Sequence, residues 1–300
     1  YATSRYLFGF DLLLALFVGG TLTATSIGVT VRILRDVNRQ NSREGQIVLG
    51  AAVIDDILGV LLLALLYEFS QTGDLSAANL LRLVLFIGVF FALAPLAAKL
   101  ISTLIGHYHR ASQMPGLVAT LIVSLVMVFA WLAHIVGAPE LLGGFTAGLA
   151  LSRRFFLPFG AALQADPEFS SHVHEQMKPI IQLFTPIFFA TVGLSLDLSS
   201  VDWGSLFFWI FSISLAAVAV ATKILGALLL REPLARRVVI GMSMVPRGEV
   251  GLVFAELGRQ TGLLDQQVFA IVVIVIAYTT LFTPFWLRLF YRRCGHLLAD

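Results

Sequence analysis

Residues 50–60 read GAAVIDDILGV, an apolar run that contains two adjacent carboxylates, Asp55 and Asp56. The run lies near the middle of an apolar segment at about 46–69, which is long enough for a membrane-spanning helix. A carboxylate at the centre of such a helix costs at least about 2.5 to 3.5 kcal/mol, so two together indicate a function. Adjacent helical side chains point about 100 degrees apart, so both acids can face one cavity with different partners. Burial against a base for stability alone is the less favoured interpretation.

The composition excludes an ordinary soluble protein. Hydrophobic residues make up 58% and charged residues 13% of the chain, and the mean hydropathy is +0.90, whereas soluble domains are about 25% charged. The single cysteine, Cys294, excludes an intrachain disulfide and a cysteine metal cluster. We therefore expect an all-α polytopic membrane protein whose surroundings are the lipid bilayer and which has no nucleic-acid partner.

Apolar runs and the residues that interrupt them predict nine membrane spans. These lie at about 8–35, 46–69, 79–105, 116–137, 139–153, 179–197, 204–230, 235–258 and 266–290. The stretch at 154–178 is too polar to span a membrane, and we expect it to be an interfacial segment. Because the chain begins at Tyr1 without an initiator methionine, we also expect earlier helices to be missing.

Basic residues concentrate on one face of the predicted topology. An alternating arrangement of the spans places most of the 20 lysines and arginines on the face that carries the C-terminus. The other face receives only Arg5, Arg82 and Arg259, and Lys223 and Arg247 fall inside spans. Because basic residues in short loops favour the cytoplasm, the C-terminus is predicted to be cytoplasmic.

Two spans contain internal breaks, one at 19–28 and one at 246–251, and the predicted topology gives these two spans opposite directions. Paired, interrupted helices of opposite direction are typical of inverted-repeat transporters, since unwound backbone inside a membrane must line a site or cavity. Glycine and proline are also common in ordinary membrane helices. The transporter interpretation is favoured because polar residues cluster at the same breaks.

Lys223 is a lone cation in the seventh predicted span and is the natural partner of the acid pair, because it would neutralise one carboxylate. It also lies only a turn or two from the predicted cytoplasmic end of its span. A lysine at that depth can extend its flexible stem to the lipid headgroups, so this second interpretation stays open.

Further polar residues occur within the breaks. The first break offers the hydroxyls of Thr23, Thr25 and Ser26 together with freed backbone carbonyls, and sodium prefers such oxygen ligands. A helical hydroxyl often bonds its own backbone, so no single one is decisive. In the second break, we expect Arg247 and Glu249 to pair with each other or with facing polar groups. A structural clamp and a direct role are equally supported for these two residues.

The sequence contains no phosphate loop, nucleophilic triad or nucleotide fingerprint. Five of the histidines fall in predicted loops or near the end, and His134 is isolated in the fourth span. His172 and His174 could bind a metal or sense pH, but a solvated surface explains them more simply. We therefore expect no enzymatic activity and no cofactor.

Four segments together resemble the second monovalent cation:proton antiporter family. They read TATSIGV at 23–29, GAAVIDD at 50–56, FATVGL at 189–194 and VPRGEVGL at 245–252. The resemblance covers essentially the whole chain, in the right order, and is greatest to the sodium/proton antiporters of the NapA type. The related Kef-type potassium efflux systems usually have glutamine in place of the first aspartate, so Asp55 favours sodium.

This resemblance implies the NhaA-like inverted-repeat fold, in which a core domain with two crossed broken helices moves against a dimerisation domain. Residues 1–300 would form one transmembrane exchanger domain, with core helices at about 8–69 and 204–258 and scaffold or dimerisation helices elsewhere. It also implies a homodimer in a bacterial inner membrane. Compared with the full family pattern, the chain lacks about three N-terminal helices.

The resemblance further implies roles for individual residues. Asp56 would be the main cation and proton carboxylate, and Asp55 would form a salt bridge with Lys223. Thr25 and Ser26 would lie at the helix crossing, and the sodium ligands would come from Asp56 and Asp55. Independently of the resemblance, the residues at the breaks suggest Thr23, Arg247 and Glu249 as supporting residues.

The predicted function is therefore antiport of sodium, or of lithium or potassium, against protons by alternating access, in the service of pH homeostasis. A K+/H+ antiporter or Kef-like potassium efflux system is the alternative. An ion channel is a more remote one, because channels usually form the pore by oligomer symmetry, whereas this chain has two broken helices of its own. An intramembrane aspartyl protease needs its two aspartates on separate helices, which adjacent residues do not provide.

Overall fold

The first and eighth predicted spans are each split into two helices in the computed structural model of the chain. The structure describes residues 1–72, 88–89, 117–135, 140–150, 167–194, 196–197, 199 and 201–298. In chain order the main helices are α1 (Leu12–Thr21), α2 (Ile27–Asp36), α3 (Arg43–Thr72), α4 (Leu117–Ile135), α5 (Glu140–Ala150), α6 (Pro167–Leu194), α7 (Leu206–Ala227), α8 (Leu234–Ser243), α9 (Glu249–Gln260) and α10 (Gln266–Cys294). The described residues contain no strand.

Local chemistry explains where the two broken spans stop being helical. Between α1 and α2, the hydroxyl of Thr23 donates to the carbonyl of Gly20 at 2.7 Å, which occupies an acceptor that a continuing helix would use. Between α8 and α9 stands Pro246, which has no N–H and whose ring clashes with the carbonyl of the fourth residue before it. Gly248 then precedes the first residue of α9.

Four helices among the described residues are long and apolar enough to cross a membrane by length and composition. They are Arg43–Ser70, Glu175–Leu194, Leu206–Ala227 and Gln266–Leu298. They correspond to the second, sixth, seventh and ninth predicted spans. The fourth and fifth spans are present as α4 and the short α5. The third span, at 79–105, lies outside the described residues apart from 88–89.

The predicted interfacial segment at 154–178 is described only from residue 167 onward. There it forms the beginning of α6, which continues through Pro179 and Pro186 to Leu194. The structure thus differs from the predicted boundary before residue 179, because membrane helices tolerate proline. His172 and His174 lie in this helix.

The chain divides into two compact units, one made of 1–62 with 192–300 and the other of 63–191. In the first unit, α7 packs on α8 and α10, and α1 packs on α9. Its fully buried large aromatic side chains are Phe17, Phe208, Phe211, Phe254 and Phe269. In the second unit, α4 and α5 pack closely, since a Cβ on Gly143 would lie 2.2 Å from the carbonyl oxygen of Phe129.

A network of charged side chains joins the start of α3 to the loop between α7 and α8. Glu232 in that loop accepts from Arg43 at 2.8 Å and from Arg236 at 3.0 Å. The hydrogen bond from Arg236 is the main reason that the pKa of Glu232 lies below its usual range. The buried carboxylate of Glu44 lies 3.6 Å from Arg39 and 3.7 Å from Arg236. These contacts position α3 against α8.

Candidate functional site

The two breaks lie against each other and exchange hydrogen bonds. Three donors of the first broken span reach carbonyls of the second: Ser26 N–H donates to Pro246 O at 2.8 Å, Thr25 Oγ1 to Met244 O at 3.0 Å and Thr30 Oγ1 to Ser243 O at 2.8 Å. These carbonyls lie at the end of α8 or just beyond it, where no intrahelical donor follows. Inside a membrane every such group needs a protein partner, so the first break supplies what the second lacks.

Arg247 makes the reciprocal connection from the second break to the first. It is fully buried, and its Nη1 donates to the carbonyls of Thr23 at 3.0 Å and Ala24 at 3.1 Å. Its Nη2 donates to the carbonyl of Ala219 in α7 at 3.3 Å. The sequence left two kinds of partner open for Arg247: Glu249 or the facing polar groups. The structure shows the facing polar groups, and Arg247 forms no ion pair with any described residue. The broad guanidinium reaches three carbonyls at once.

Two glycines allow the broken spans to approach this closely. A Cβ on Gly248 would lie 2.7 Å from both Cβ and Oγ of Ser26, and one on Gly251 would lie 2.8 Å from the carbonyl oxygen of Thr21. Real Cβ atoms are not found at such distances, so any larger residue at either position would force the two breaks apart. Glycine is required here for space rather than for an unusual backbone conformation.

Asp55 and Lys223 form an ion pair between α3 and α7. Lys223 Nζ donates to Oδ1 of Asp55 at 3.1 Å and to Oδ2 at 3.0 Å. The exposed fractions of the two side chains are 20% for the aspartate and 18% for the lysine. The lysine amine thus ends on Asp55 rather than extending outward, as snorkelling would require.

Asp56 is half-buried beside this ion pair. It accepts no hydrogen bond and forms no ion pair with any other described residue. The charged groups around it are Glu249, Asp55 and Lys223. Because an ionised carboxylate has about four lone-pair sites for partners, Asp56 retains its capacity to bind a cation or a proton.

The face of α3 that carries the two aspartates adjoins both breaks. Gly59 lies one turn beyond Asp55 and Asp56 on the same helix. A Cβ at Gly59 would lie 3.5 Å from the Cβ of Ala24 in the first break and 3.8 Å from Cγ1 of Val250 at the start of α9. The carboxylates are therefore placed where the two broken spans meet.

The predicted hydroxyl ligands differ in their surroundings. Thr25 and Thr23 both donate to backbone carbonyls, the first across the breaks and the second within its own span. The hydroxyl of Ser26 instead donates to Oε2 of Glu249 at 3.4 Å. Thr25 and Ser26 are buried, whereas Glu249 is exposed. Ser26 of the first break thus contacts an acidic side chain of the second break.

Some residues of the site were not predicted from the sequence. Thr30 lies four residues after Ser26, on the same helix face, and that spacing was the signal that could have found it. Thr280 in α10 donates to the carbonyl of Arg247. Nothing in the sequence around Thr280 indicates this contact, since it depends on how α10 packs on α9.

Comparisons with known proteins agree with the predicted family. The family model described as sodium/hydrogen exchanger, transmembrane, matches residues 1–293. The chain is 34% identical over 286 residues to the high-affinity Na+/H+ antiporter NhaS3 of Synechocystis sp., covering 94% of this chain and 59% of that protein. It is 31% identical over 278 residues to the Na+/H+-K+ antiporter GerN of Bacillus cereus, covering 90% and 66%. It is 29% identical over 288 residues to a Na+/H+ antiporter of Enterococcus hirae, covering 93% and 70%.

The chain therefore spans less than two thirds of the length of the first two of these relatives. The family match confirms the predicted cation:proton antiporter family, which is a family of transporters and not of enzymes. Together with the apolar helices, it supports a helical, multi-pass membrane protein. The chain belongs to the sodium/hydrogen exchanger family.

Proposed function

We propose that this chain is the transport core of a secondary antiporter that exchanges sodium for protons across a membrane by alternating access. The observation that carries the proposal is the carboxylate of Asp56, which has no hydrogen-bond or ion-pair partner among the described residues and lies beside two broken spans. The Synechocystis and Enterococcus relatives are named as Na+/H+ antiporters, which supports the same activity. The transported ions are substrates, and no cofactor is needed.

The proposed mechanism is competition between two cations for the same oxygens. Ionised Asp56 binds sodium together with oxygens of the first break, including the buried hydroxyls of Thr25 and Ser26. On the other side of the membrane a proton binds Asp56 and displaces sodium. Because the carboxylate carries either ion but not both, movement of one is coupled to movement of the other.

The proposed architecture is the NhaA-like inverted repeat, with α1 and α2 as one broken helix and α8 and α9 as the other. The hydrogen bonds between the breaks support a core that moves as one body, formed by the helices at about 8–69 and 204–258. The remaining helices would form the scaffold and the homodimer interface. Basic residues near the end of α10 support a cytoplasmic C-terminus. The proposed membrane is the bacterial inner membrane.

Sodium is the favoured cation, and potassium is the second candidate. The first aspartate of the pair favours sodium, while the Bacillus cereus relative is named as a Na+/H+-K+ antiporter. Purified protein in liposomes with an interior pH dye should move protons when sodium or lithium is added outside, at several pH values, and less when potassium is added. Proton movement with no added monovalent cation, or none with any of the three, would contradict exchange.

We further propose that Lys223 releases a proton when sodium binds, so that two protons exchange for one sodium and net charge moves. The ion pair with Asp55 supports this role, because it can break as the carboxylate turns to the cation. Each net charge draws about 2.3 kcal/mol per 100 mV. The Lys223→Gln variant is expected to transport without dependence on an imposed potassium diffusion potential, whereas Lys178→Gln, an exposed lysine on α6, should behave as wild type. A charge stoichiometry unchanged in Lys223→Gln would refute this role.

A further inference from the structure

Glu249 begins α9 directly after the second break, and its side chain is exposed. Its Oε2 accepts from Ser26 Oγ at 3.4 Å, so it faces the first break. The neighbouring base, Arg247, is occupied by backbone carbonyls. Glu249 therefore forms no ion pair with any described residue, although a base lies two positions earlier in the chain.

Glu249 also lies close to the transport carboxylate. Glu249 is near enough for its charge to act on that of Asp56. The contact of Val250 with the position of Gly59 brings the first turn of α9 onto the same face of α3. Two carboxylates without ion-pair partners among the described residues, Asp56 and Glu249, thus converge from two helices on one place.

The charges around this place do not balance when every group is ionised. Asp55, Asp56 and Glu249 contribute three negative charges, and Lys223 and Arg247 contribute two positive ones. Two positive and three negative charges give the fully ionised group a net charge of minus one. Like-charged carboxylates in a partly buried site repel unless a cation or a proton lies between them. While Lys223 keeps its proton, one monovalent cation or one proton neutralises this set.

We propose that Glu249 is a second carboxylate ligand of the transported cation, which it binds together with Asp56 and the Ser26 hydroxyl. The proposal rests on the proposed function and adds a residue to its binding site. The competing explanation is purely structural, because an acidic residue in the first turn of a helix stabilises that helix through its dipole. The two explanations differ in whether the residue senses sodium.

The test compares Glu249→Gln and Glu249→Asp with Glu256→Gln, which removes a carboxylate at the other end of the same helix. Two quantities are measured for the whole purified chain: the rise in Tm on addition of sodium, and the KM for sodium in proteoliposomes. Loss of a charged ligand should raise the KM of Glu249→Gln on the order of tenfold and remove most of the sodium-induced rise in Tm. The Tm without sodium should change little.

Glu249→Asp should recover part of the lost affinity, because it restores the charge on a shorter side chain. Glu256→Gln should match wild type in both quantities. A Glu249→Gln variant with wild-type KM and a wild-type response to sodium would overturn the inference, whatever its Tm without sodium. If instead the wild-type protein shows no cation-driven proton movement, the proposed function itself fails. The two failures are therefore distinguishable.

Discussion

Asp56→Asn is expected to reduce sodium-driven proton movement in proteoliposomes by at least about 100-fold, which corresponds to about 2.7 kcal/mol. Asparagine keeps the size of the side chain and one oxygen acceptor, but it has no negative charge for sodium and cannot bind the transported proton. Both halves of the exchange therefore fail together. The measurement is the initial rate of interior pH change after a sodium jump, at saturating sodium.

The same substitution should leave the fold intact, because Asp56 has no hydrogen-bond or ion-pair partner to lose among the described residues. Asp55→Asn provides the comparison, since it removes the partner of Lys223 and leaves a half-buried ammonium group without its carboxylate. We expect Asp55→Asn to lower the Tm in detergent and Asp56→Asn not to do so. Sodium-driven proton movement at the wild-type rate in Asp56→Asn would show that the transport carboxylate has been assigned wrongly.

The breaks of the two spans could be predicted because their causes are local. Pro246 and Gly248 interrupt one apolar run, and glycines with hydroxyl residues interrupt the other. A missing N–H, a competing hydroxyl and a small side chain act within a few residues, so the sequence pattern contains them. The family could also be predicted, because its motifs occur in the family's order along essentially the whole chain.

Partners across the fold were harder to predict. The contact of Lys223 with Asp55 joins residues 168 positions apart, and residue chemistry alone left snorkelling open. The resemblance to a family implied the pair, and the structure contains it. Arg247 shows the limit more clearly, because its partners are backbone carbonyls. Every residue has a carbonyl, so the sequence does not distinguish the ones that a helix break leaves free.

The beginning of α6 and the role of Glu249 show a second kind of limit. Polar composition predicted a boundary before residue 179, yet the helix continues through Pro179, because composition reports the surroundings of a segment and not its backbone conformation. For Glu249, proximity in the chain suggested Arg247 as a partner. The side chains instead turn to different groups of the first break. Chain neighbours at a helix start point in different directions, so adjacency is weak support for pairing.

Arg247→Met is expected to cause a large loss of stability, about 3 to 5 kcal/mol, because several carbonyls lose their donor at once. The methionine fills much of the same volume but donates no hydrogen bond to the carbonyls of Thr23 and Ala24. Each buried acceptor that loses its donor costs about 1 to 3 kcal/mol, and the Arg247 side chain that supplies the donors is fully buried. The Tm in detergent should fall by several degrees, and exchange activity should fall with it.

Arg247→Lys separates charge from geometry in this prediction. A lysine keeps the positive charge but has one compact ammonium group, which cannot reach carbonyls of both the first break and α7 from one position. Its Tm should therefore lie nearer to that of Arg247→Met than to wild type, while Arg231→Met, at an exposed arginine, should change neither Tm nor exchange. A wild-type Tm in Arg247→Lys would mean that the charge at this position, and not the hydrogen bonds between the two breaks, stabilises the site. A wild-type Tm in Arg247→Met would show that neither the charge of Arg247 nor its hydrogen bonds stabilise the site.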